Sequence, residues 1–285
     1  MRPAYVTDEA LDNFIDLALA EDLGDGDHST LASVPETATN AAYLIMKESG
    51  VIAGMELAAR IFHKLDQGIE LEPLAQDGDY VHRGDIILRI KGNARAILSG
   101  ERLLLNCMQR MSGIATKTAD LTKLIAGTKA KLLDTRKTTP NLRMLEKWAV
   151  LIGGGVNHRY GLYDMIMLKD NHNDFAGGIT AAVTATKAYL KETGKDLKIE
   201  VETRNLKEVE EALAVGGVDR IMLDNMSNAD MSAAVALIAG RSETEASGGI
   251  TERTIQGVAE TGVDYISVGA LTHSIKSLDI SLKAE

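Results

Sequence analysis

Charged and small polar residues recur where short apolar runs end in the second half of this 285-residue chain. The runs close at Asp134-Thr135-Arg136-Lys137, Lys169-Asp170-Asn171-His172, Glu200-Val201-Glu202, Asp224-Asn225, Ser247-Gly248-Gly249 and Ser267-Val268-Gly269. Ser247-Gly248-Gly249 and Ser267-Val268-Gly269 suit a phosphate, because glycines let backbone N–H groups approach an anion and a following helix adds partial positive charge. Glu202 and Asp224 stand as a carboxylate pair beside that phosphate site, an arrangement that holds Mg²⁺, with general acid–base chemistry as the competing role. Arg136, Lys137, His158, Arg159 and Lys169 crowd one stretch of the chain, and so many cations aimed at one place call for a highly charged anion among them.

Residues so scattered meet only if an architecture gathers them. Helix-like stretches separate most of the runs: Thr116 to Ile125, Leu142 to Ile152, Thr180 to Thr193, Leu206 to Val215, Ala229 to Ala239 and Thr251 to Thr261. Strands alternating with such helices predict a parallel sheet, and in a β/α barrel the C-terminal strand ends form the active-site rim. Gly194, Gly216 and Gly262 mark helix ends, and Thr251 reads as an N-cap. By parity, Glu200 lines the barrel interior below Glu202. The first part of the chain reads differently. Asp8 to Glu21 predicts an amphipathic helix, Glu21 to His28 an acidic glycine-rich turn, and Ala41 to Ile90 a strand-rich segment with two turns around Tyr80-Val81. Gly100-Glu101-Arg102 opens a helix-like run to Met111, and Ser112-Gly113 breaks it. The expected division is therefore 1–113 and 114–273, with the tail 274–285 packing on the first domain.

A net charge of −10 argues against nucleic-acid and anionic-membrane binding. Without a secretory signal or a long apolar run, the expectation is a cytoplasmic protein. The single cysteine, Cys107, excludes an intrachain disulfide and is expected to be buried.

Gly100-Glu101-Arg102, Leu105-Asn106, Gln109-Arg110 and Ser112 to Thr116 together resemble the quinolinate phosphoribosyltransferase family. So do Asp134 to Pro140, Gly153-Gly154-Gly155 with Asn157-His158-Arg159, Lys169 to His172, Leu223 to Met226, Glu245 to Ile250 and Ser267 to His273. The resemblance implies an N-terminal α/β sandwich domain plus an incomplete (β/α), TIM-barrel-like domain. It also implies a homodimer, possibly a higher oligomer, in which one subunit's N-terminal domain covers the other's barrel mouth. The activity implied is Mg²⁺-dependent transfer of phosphoribose from phosphoribosyl pyrophosphate to quinolinate with loss of CO₂, giving nicotinate mononucleotide for NAD synthesis. Carried over on these motifs, quinolinate would meet Thr135, Arg136, His158, Arg159 and Lys169, with Arg102 reaching in from the partner subunit. Phosphoribosyl pyrophosphate would meet Lys137, Glu202, Asp224, Ser247, Gly248, Gly249, Ser267, Val268, Gly269 and His273. Lys137, Lys169, Glu202 and Asp224 would be catalytic, and Glu202 and Asp224 would face the metal. Asn141 departs from the family pattern, which usually has glycine after the proline, and Thr203 stands in an unusual context.

Two readings from other classes stay open on the residues alone. One is a barrel aldolase with Lys137 or Lys169 as Schiff base. The other is a non-catalytic sensor of anionic metabolites, which would have no use for Glu202 and Asp224.

Overall fold

A computed structural model describes residues 2–285. The chain divides into two compact units. One gathers the residues up to Ala119 with Thr138–Gly154 and Leu271–Glu285; the other holds Asp120–Lys137 and Gly155–Ala270.

The first unit opens with α1 (Asp8–Leu23) and α2 (His28–Ser33). The acidic glycine segment between them is capping structure: Gly24 ends α1 at φ 53, and the Asp27 side chain accepts the Thr30 N–H that starts α2. Then come β1 (Thr39–Met46), β2 (Gly50–Val51), α3 (Met55–Leu65), β3 (Glu70–Pro73), β4 (Tyr80–Val81), β5 (Ile86–Asn93) and α4 (Ala94–Leu124). Helix α3 corrects the expectation of strands throughout 41–90. Its buried residues Leu57, Ala58, Ile61 and Phe62 recur at helical spacing. Its start lacks a local cap, because the Gly54 and Met55 N–H groups are taken at 2.7 and 2.9 Å by Asp77, more than twenty residues later. Strands β1, β5 and β3 pair antiparallel, and Leu44, Met46, Ile87 and Ile90 pack with Phe62, Leu104 and Met108.

Helix α4 corrects a second expectation, since it runs unbroken through Ser112-Gly113. Both residues serve tertiary contacts rather than a stop. The Ser112 hydroxyl accepts the Ala53 N–H at 3.0 Å, and a Cβ on Gly113 would lie 2.4 Å from the Lys276 carbonyl oxygen. Cys107 lies buried on this helix, where burial pushes its thiol up to about 12.

The other unit is built on β6 (Lys131–Leu133), followed by α5 (Arg143–Ile152), which belongs to the first unit. Its remaining elements are β7 (Ile166–Leu168), α6 (Asp170–Ala176), α7 (Ile179–Thr193), β8 (Ile199–Thr203), α8 (Leu206–Val215), β9 (Arg220–Asp224), α9 (Asn228–Ile238), β10 (Glu243–Ser247), α10 (Ile255–Ala259) and β11 (Tyr265–Ser267). The six strands form one parallel sheet in the order β6-β11-β10-β9-β8-β7. Strands β6 and β7 stand at its two ends, and Val156 bridges Leu133 beside β6. This is an α/β, barrel-like sheet that is left incomplete. The chain closes with α11 (Ala270–His273) and β12 (Ile280–Ala284), and β12 pairs antiparallel with β1. Among the described residues, no helix is long and apolar enough to cross a membrane.

Helix α10 is shorter than the stretch expected from Thr251 to Thr261. Thr251 is not its cap: the Thr251 N–H donates to Thr254 Oγ1, closing a turn ahead of the helix.

Replacing Gly113 with alanine improves helix propensity by about 1 kcal/mol but drives a methyl into the 275–277 segment of the tail, an overpacking cost of about 1–3 kcal/mol. Gly113→Ala is expected to lower the urea midpoint of unfolding. A midpoint at or above that of the unsubstituted protein would show that the tail yields.

Candidate active site

The parallel register lays charged residues in rows. Glu200 pairs with Arg220, which pairs with Glu243. One step further along, Glu202, Met222, Glu245 and Tyr265 are in register, and then Asp224 with Ser247. Side chains in register share a face, so alternate residues of β8 to β11 place acids, Arg220 and serines on one face. Val201, Ile221, Leu223, Ala246 and Ile266 go to the other face and are buried.

At the deep end of that face lies a charge cluster. Arg220 Nη1 is 3.0 Å from Glu245 and 4.0 Å from Glu200, its Nη2 is 3.0 Å from Glu243, and its guanidinium stacks 4.2 Å above the Tyr265 ring. His158 Nε2 lies 2.9 Å from Glu200 and 3.4 Å from Glu245. Burial and the neighbouring Glu245 raise the Glu200 pKa, whereas His158 and Arg220 hold Glu245 low against its burial. Burial pulls His158 down, but the two carboxylates outweigh it and raise the ring to about 9. A second proton could enter only at Nδ1, which accepts the Arg159 N–H at 2.7 Å. That bond and the raised pKa disagree, because a doubly protonated ring could not accept it. The hydrogen bonding seen describes a ring with its proton on Nε2 alone, and the carboxylates favour the second proton only if the Arg159 N–H turns away. His158, Glu200 and Glu245 have ligand atoms close enough to hold a metal ion, although Arg220 already brings positive charge to the same carboxylates.

Above the cluster stand the residues named from the sequence. The turn Asn157-His158-Arg159 is fixed to Asp134, which is buried and accepts the His158 N–H at 2.8 Å and the Asn157 side chain at 2.6 Å. Arg159 is half-buried and donates to the Met165 carbonyl. Its pKa is lowered by burial and by the guanidinium of Arg136, so the two arginines are close enough to repel. The Thr135 hydroxyl accepts the Lys137 N–H, which shapes the tip carrying Arg136 and Lys137. Asn141 sits at φ 63, a left-handed conformation that asparagine tolerates and glycine adopts freely. Lys169 is exposed at the start of α6, a helix missed in the sequence because its first turn, Asp170-Asn171-His172, was read as the end of a strand. The His172 imidazole accepts the Lys169 N–H there.

Glu202 is half-buried, and its pKa is raised by burial and then by Asp224 and Asp170, with Lys169 opposing. The Asn225 side chain donates to the Asp224 carboxylate at 2.6 Å, and the Asn225 N–H donates to the Ser247 carbonyl. Gly248 has φ 97, and a Cβ there would lie 2.2 Å from Asn225 Oδ1. Gly249 has φ 61 and open space where a Cβ would stand. Both glycines take a positive φ that side chains rarely adopt, which leaves the backbone here open to close approach by a ligand. The helix contribution expected after them falls away, since α10 begins only at Ile255. Ser267 is buried, and its hydroxyl lies between the Ala246 carbonyl at 3.4 Å and the Glu245 carboxylate on the charged face. Val268 is buried, its N–H held by the Leu133 carbonyl, and Gly269 follows on the same loop.

The sheet unit thus brings together Thr135, Arg136, Lys137, His158, Arg159, Lys169, Glu202, Asp224, Ser247, Gly248, Gly249, Ser267, Val268 and Gly269. Two further residues named from the sequence lie in the other unit: Arg102, exposed on α4, and His273, exposed with its Nδ1 2.7 Å from Ser274 Oγ. Sequence reasoning missed Arg220, Glu243 and Glu245 as a cluster with Glu200. The signal was present, since each has an inward parity on its strand.

Comparisons with known proteins agree with this geometry. The family model described as quinolinate phosphoribosyl transferase, C-terminal domain, matches residues 114–283, and the N-terminal domain model matches residues 27–112. The carboxylating, chloroplastic nicotinate-nucleotide pyrophosphorylase of Arabidopsis thaliana is 50% identical over 95% of this chain and 82% of its own length. The decarboxylating quinolinate phosphoribosyltransferase 1b of Nicotiana tabacum is 47% identical over 99% of this chain and 84% of its own. The solved structure of the nicotinate-nucleotide pyrophosphorylase from Francisella tularensis superposes with a TM-score of 0.92 at 40% identity, covering 98% of both chains. With its two family domains matched in order and its charged sheet face in place, this chain belongs to the quinolinate phosphoribosyltransferase family.

Proposed function

We propose that the protein transfers phosphoribose from phosphoribosyl pyrophosphate to quinolinate and releases pyrophosphate, CO₂ and nicotinate mononucleotide, a step of NAD synthesis. The reading rests above all on the gathering of like charges at the strand ends of one parallel sheet. Arg136 and Arg159 repel across one side of the site, while Glu202 faces Asp224 and Asp170 on another. A fold keeps such groups adjacent when ligands of opposite charge complete them.

The pyridine diacid is assigned to Thr135, Arg136, Arg159 and Lys169. Guanidinium forks match carboxylates bidentately, and the Thr135 hydroxyl, already an acceptor from Lys137, still has its own proton to donate. Arg102 would join them from a second copy of the chain, which makes the working unit at least a homodimer. The activated sugar is assigned to Lys137, Glu202, Asp224 and the loops Ser247-Gly248-Gly249 and Ser267-Val268-Gly269, with His273 near a phosphate. Glu202 and Asp224 are half-buried acids, Asp224 adds to the cost of ionising Glu202, and this donor set fits Mg²⁺. When bound, the ion would neutralise charge on the departing pyrophosphate. One buried cysteine suits a reducing compartment, and the cytoplasm is the proposed location.

No protein nucleophile is required. The ring nitrogen attacks C1 of the ribose as the bond to pyrophosphate breaks, through a transition state of oxocarbenium character. Alignment and charge stabilisation are the protein's contribution. The quaternary nitrogen then draws in the electron pair left when the adjacent C–CO₂ bond breaks, and a proton replaces CO₂ on the ring. Lys169 is assigned to steady that carbanion and supply the proton.

Incubation with quinolinate, phosphoribosyl pyrophosphate and Mg²⁺ should yield nicotinate mononucleotide and CO₂ in equal amounts; a folded protein that releases neither does not have this activity. Arg136→Ala should lower kcat/KM by about 10²–10³, as when one oriented donor to developing charge is removed, and near-normal turnover would take Arg136 out of the site. Gly248→Ala should displace Asn225 and with it the Asp224 carboxylate. Its kcat/KM for phosphoribosyl pyrophosphate is expected to fall by at least about tenfold, since a contact of 2.2 Å and a positive φ cannot both be accommodated. Unchanged kinetics would mean that the loop does not shape the sugar site.

A further inference from the structure

Barrel interiors are usually filled by branched apolar side chains, and replacing buried ion pairs by apolar residues is often neutral or stabilising. Glu200 is fully buried on the inner parity of β8 and runs against both tendencies. The first unit supplies a contrast in Glu146, which is also fully buried. That carboxylate takes two donors from Arg110, the Thr139 N–H and the Thr139 hydroxyl, so it is saturated as a structural acid should be. Glu200 has no such set. His158 Nε2 stands at 2.9 Å and Arg220 only at 4.0 Å, both as charge contacts, and neither Glu200 oxygen has an aligned hydrogen-bond partner. The fold has not surrounded this carboxylate for its own sake. What it touches is the ring beneath Arg159.

The turn 157–159 is gripped from two sides. Asp134 holds the His158 N–H and the Asn157 amide. Glu200 faces the imidazole Nε2, whose orientation lets Nδ1 accept the Arg159 N–H at 2.7 Å. Nδ1 is hydrogen-bonded inside the protein, Nε2 faces Glu200 at 2.9 Å, and the residue is buried, so the ring's orientation is set by its protein neighbours. We infer that Glu200 is a positioning residue for the diacid half of the site, fixing the His158 ring from below and thereby the backbone that presents Arg159. His158 becomes the link between them, beside the quinolinate carboxylates. The inference rests on the assignment of Arg159 to the quinolinate carboxylates. Arg220 and Glu245 complete the device by flanking Glu200, so that its carboxylate cannot swing away.

The test uses Glu200→Leu, which keeps the volume but removes the acceptor, and Glu200→Gln, whose amide oxygen can still accept from Nε2–H. KM for each substrate is measured alongside ¹⁵N spectra of histidine-labelled protein, which report the His158 tautomer without any need for turnover. Glu200→Leu is expected to fold, to raise KM for quinolinate about tenfold or more, as for one oriented hydrogen bond lost, and to move KM for phosphoribosyl pyrophosphate several-fold less. Its His158 signals should depart from the Nε2–H form, and Glu200→Gln should restore both the tautomer and most of the quinolinate KM. Should the leucine not be accommodated, Glu200→Ala is read in the same way. An unchanged quinolinate KM with an unchanged tautomer would overturn the inference, as would an equal rise in both KM values. If the unsubstituted protein does not turn over quinolinate, the proposed function fails by itself. The tautomer comparison then still decides whether Glu200 orients His158.

Discussion

The constraint on which the site depends is the burial of charge inside a parallel sheet. Arg220 lies among Glu200, Glu243 and Glu245, with Tyr265 beneath its guanidinium and His158 across the carboxylates. Taking such groups out of water is expensive, and their mutual attraction offsets this only when geometry is tightly held. Strand register supplies that geometry, because Glu200, Arg220 and Glu243 face one another across β8, β9 and β10 by hydrogen-bonded pairing. A slip of one residue in any of these strands would turn its charges to the apolar face. The cluster therefore specifies register as much as it adds stability.

The same register carries the upper rows. Once Glu200, Arg220 and Glu245 are fixed, Glu202, Asp224 and Ser247 stand two and four residues further along, on the same face and at the same edge. Parallel strands send all their C-terminal ends one way, so cations, acids and glycine loops from distant parts of the chain reach a common rim. Local details refine what the sheet delivers. Asn225 tethers the Asp224 carboxylate, Gly248 leaves room for Asn225, and Thr135 shapes the turn that carries Lys137.

Much of this was legible in the sequence because periodicity and strand-end chemistry are local. The six strands begin and end near the places that the apolar runs indicate, and the positions of Glu202 and Asp224 follow from parity. What was not legible depends on contacts distant in sequence. Helix α3 went unseen because Asp77 caps it from another turn. Ser112 and Gly113 looked like a helix stop because their reasons, the Ala53 amide and the Lys276 carbonyl, lie elsewhere in the chain. Thr251 had the right chemistry for an N-cap but spends it on Thr254.

A division of labour among the cations follows from how each is held. Arg159 sits on a turn tied to Asp134 and resting on His158, and its own guanidinium is braced by the Met165 carbonyl. Lys137 and Lys169, by contrast, are exposed on long flexible stems. A planar fork on a rigid support loses little entropy when it takes a carboxylate, so it suits recognition of a fixed aromatic diacid. An exposed ammonium loses more, but it can follow charge that moves during a reaction, from a departing pyrophosphate to a ring carbanion. On the proposed assignment, arginines held by the fold would take the ground-state ligand and exposed lysines the changing one, an arrangement that favours the transition state over uniform binding. The buried machinery beneath Arg159 is then understandable: rigidity at the mouth has to be supplied from below, and charge held in register supplies it.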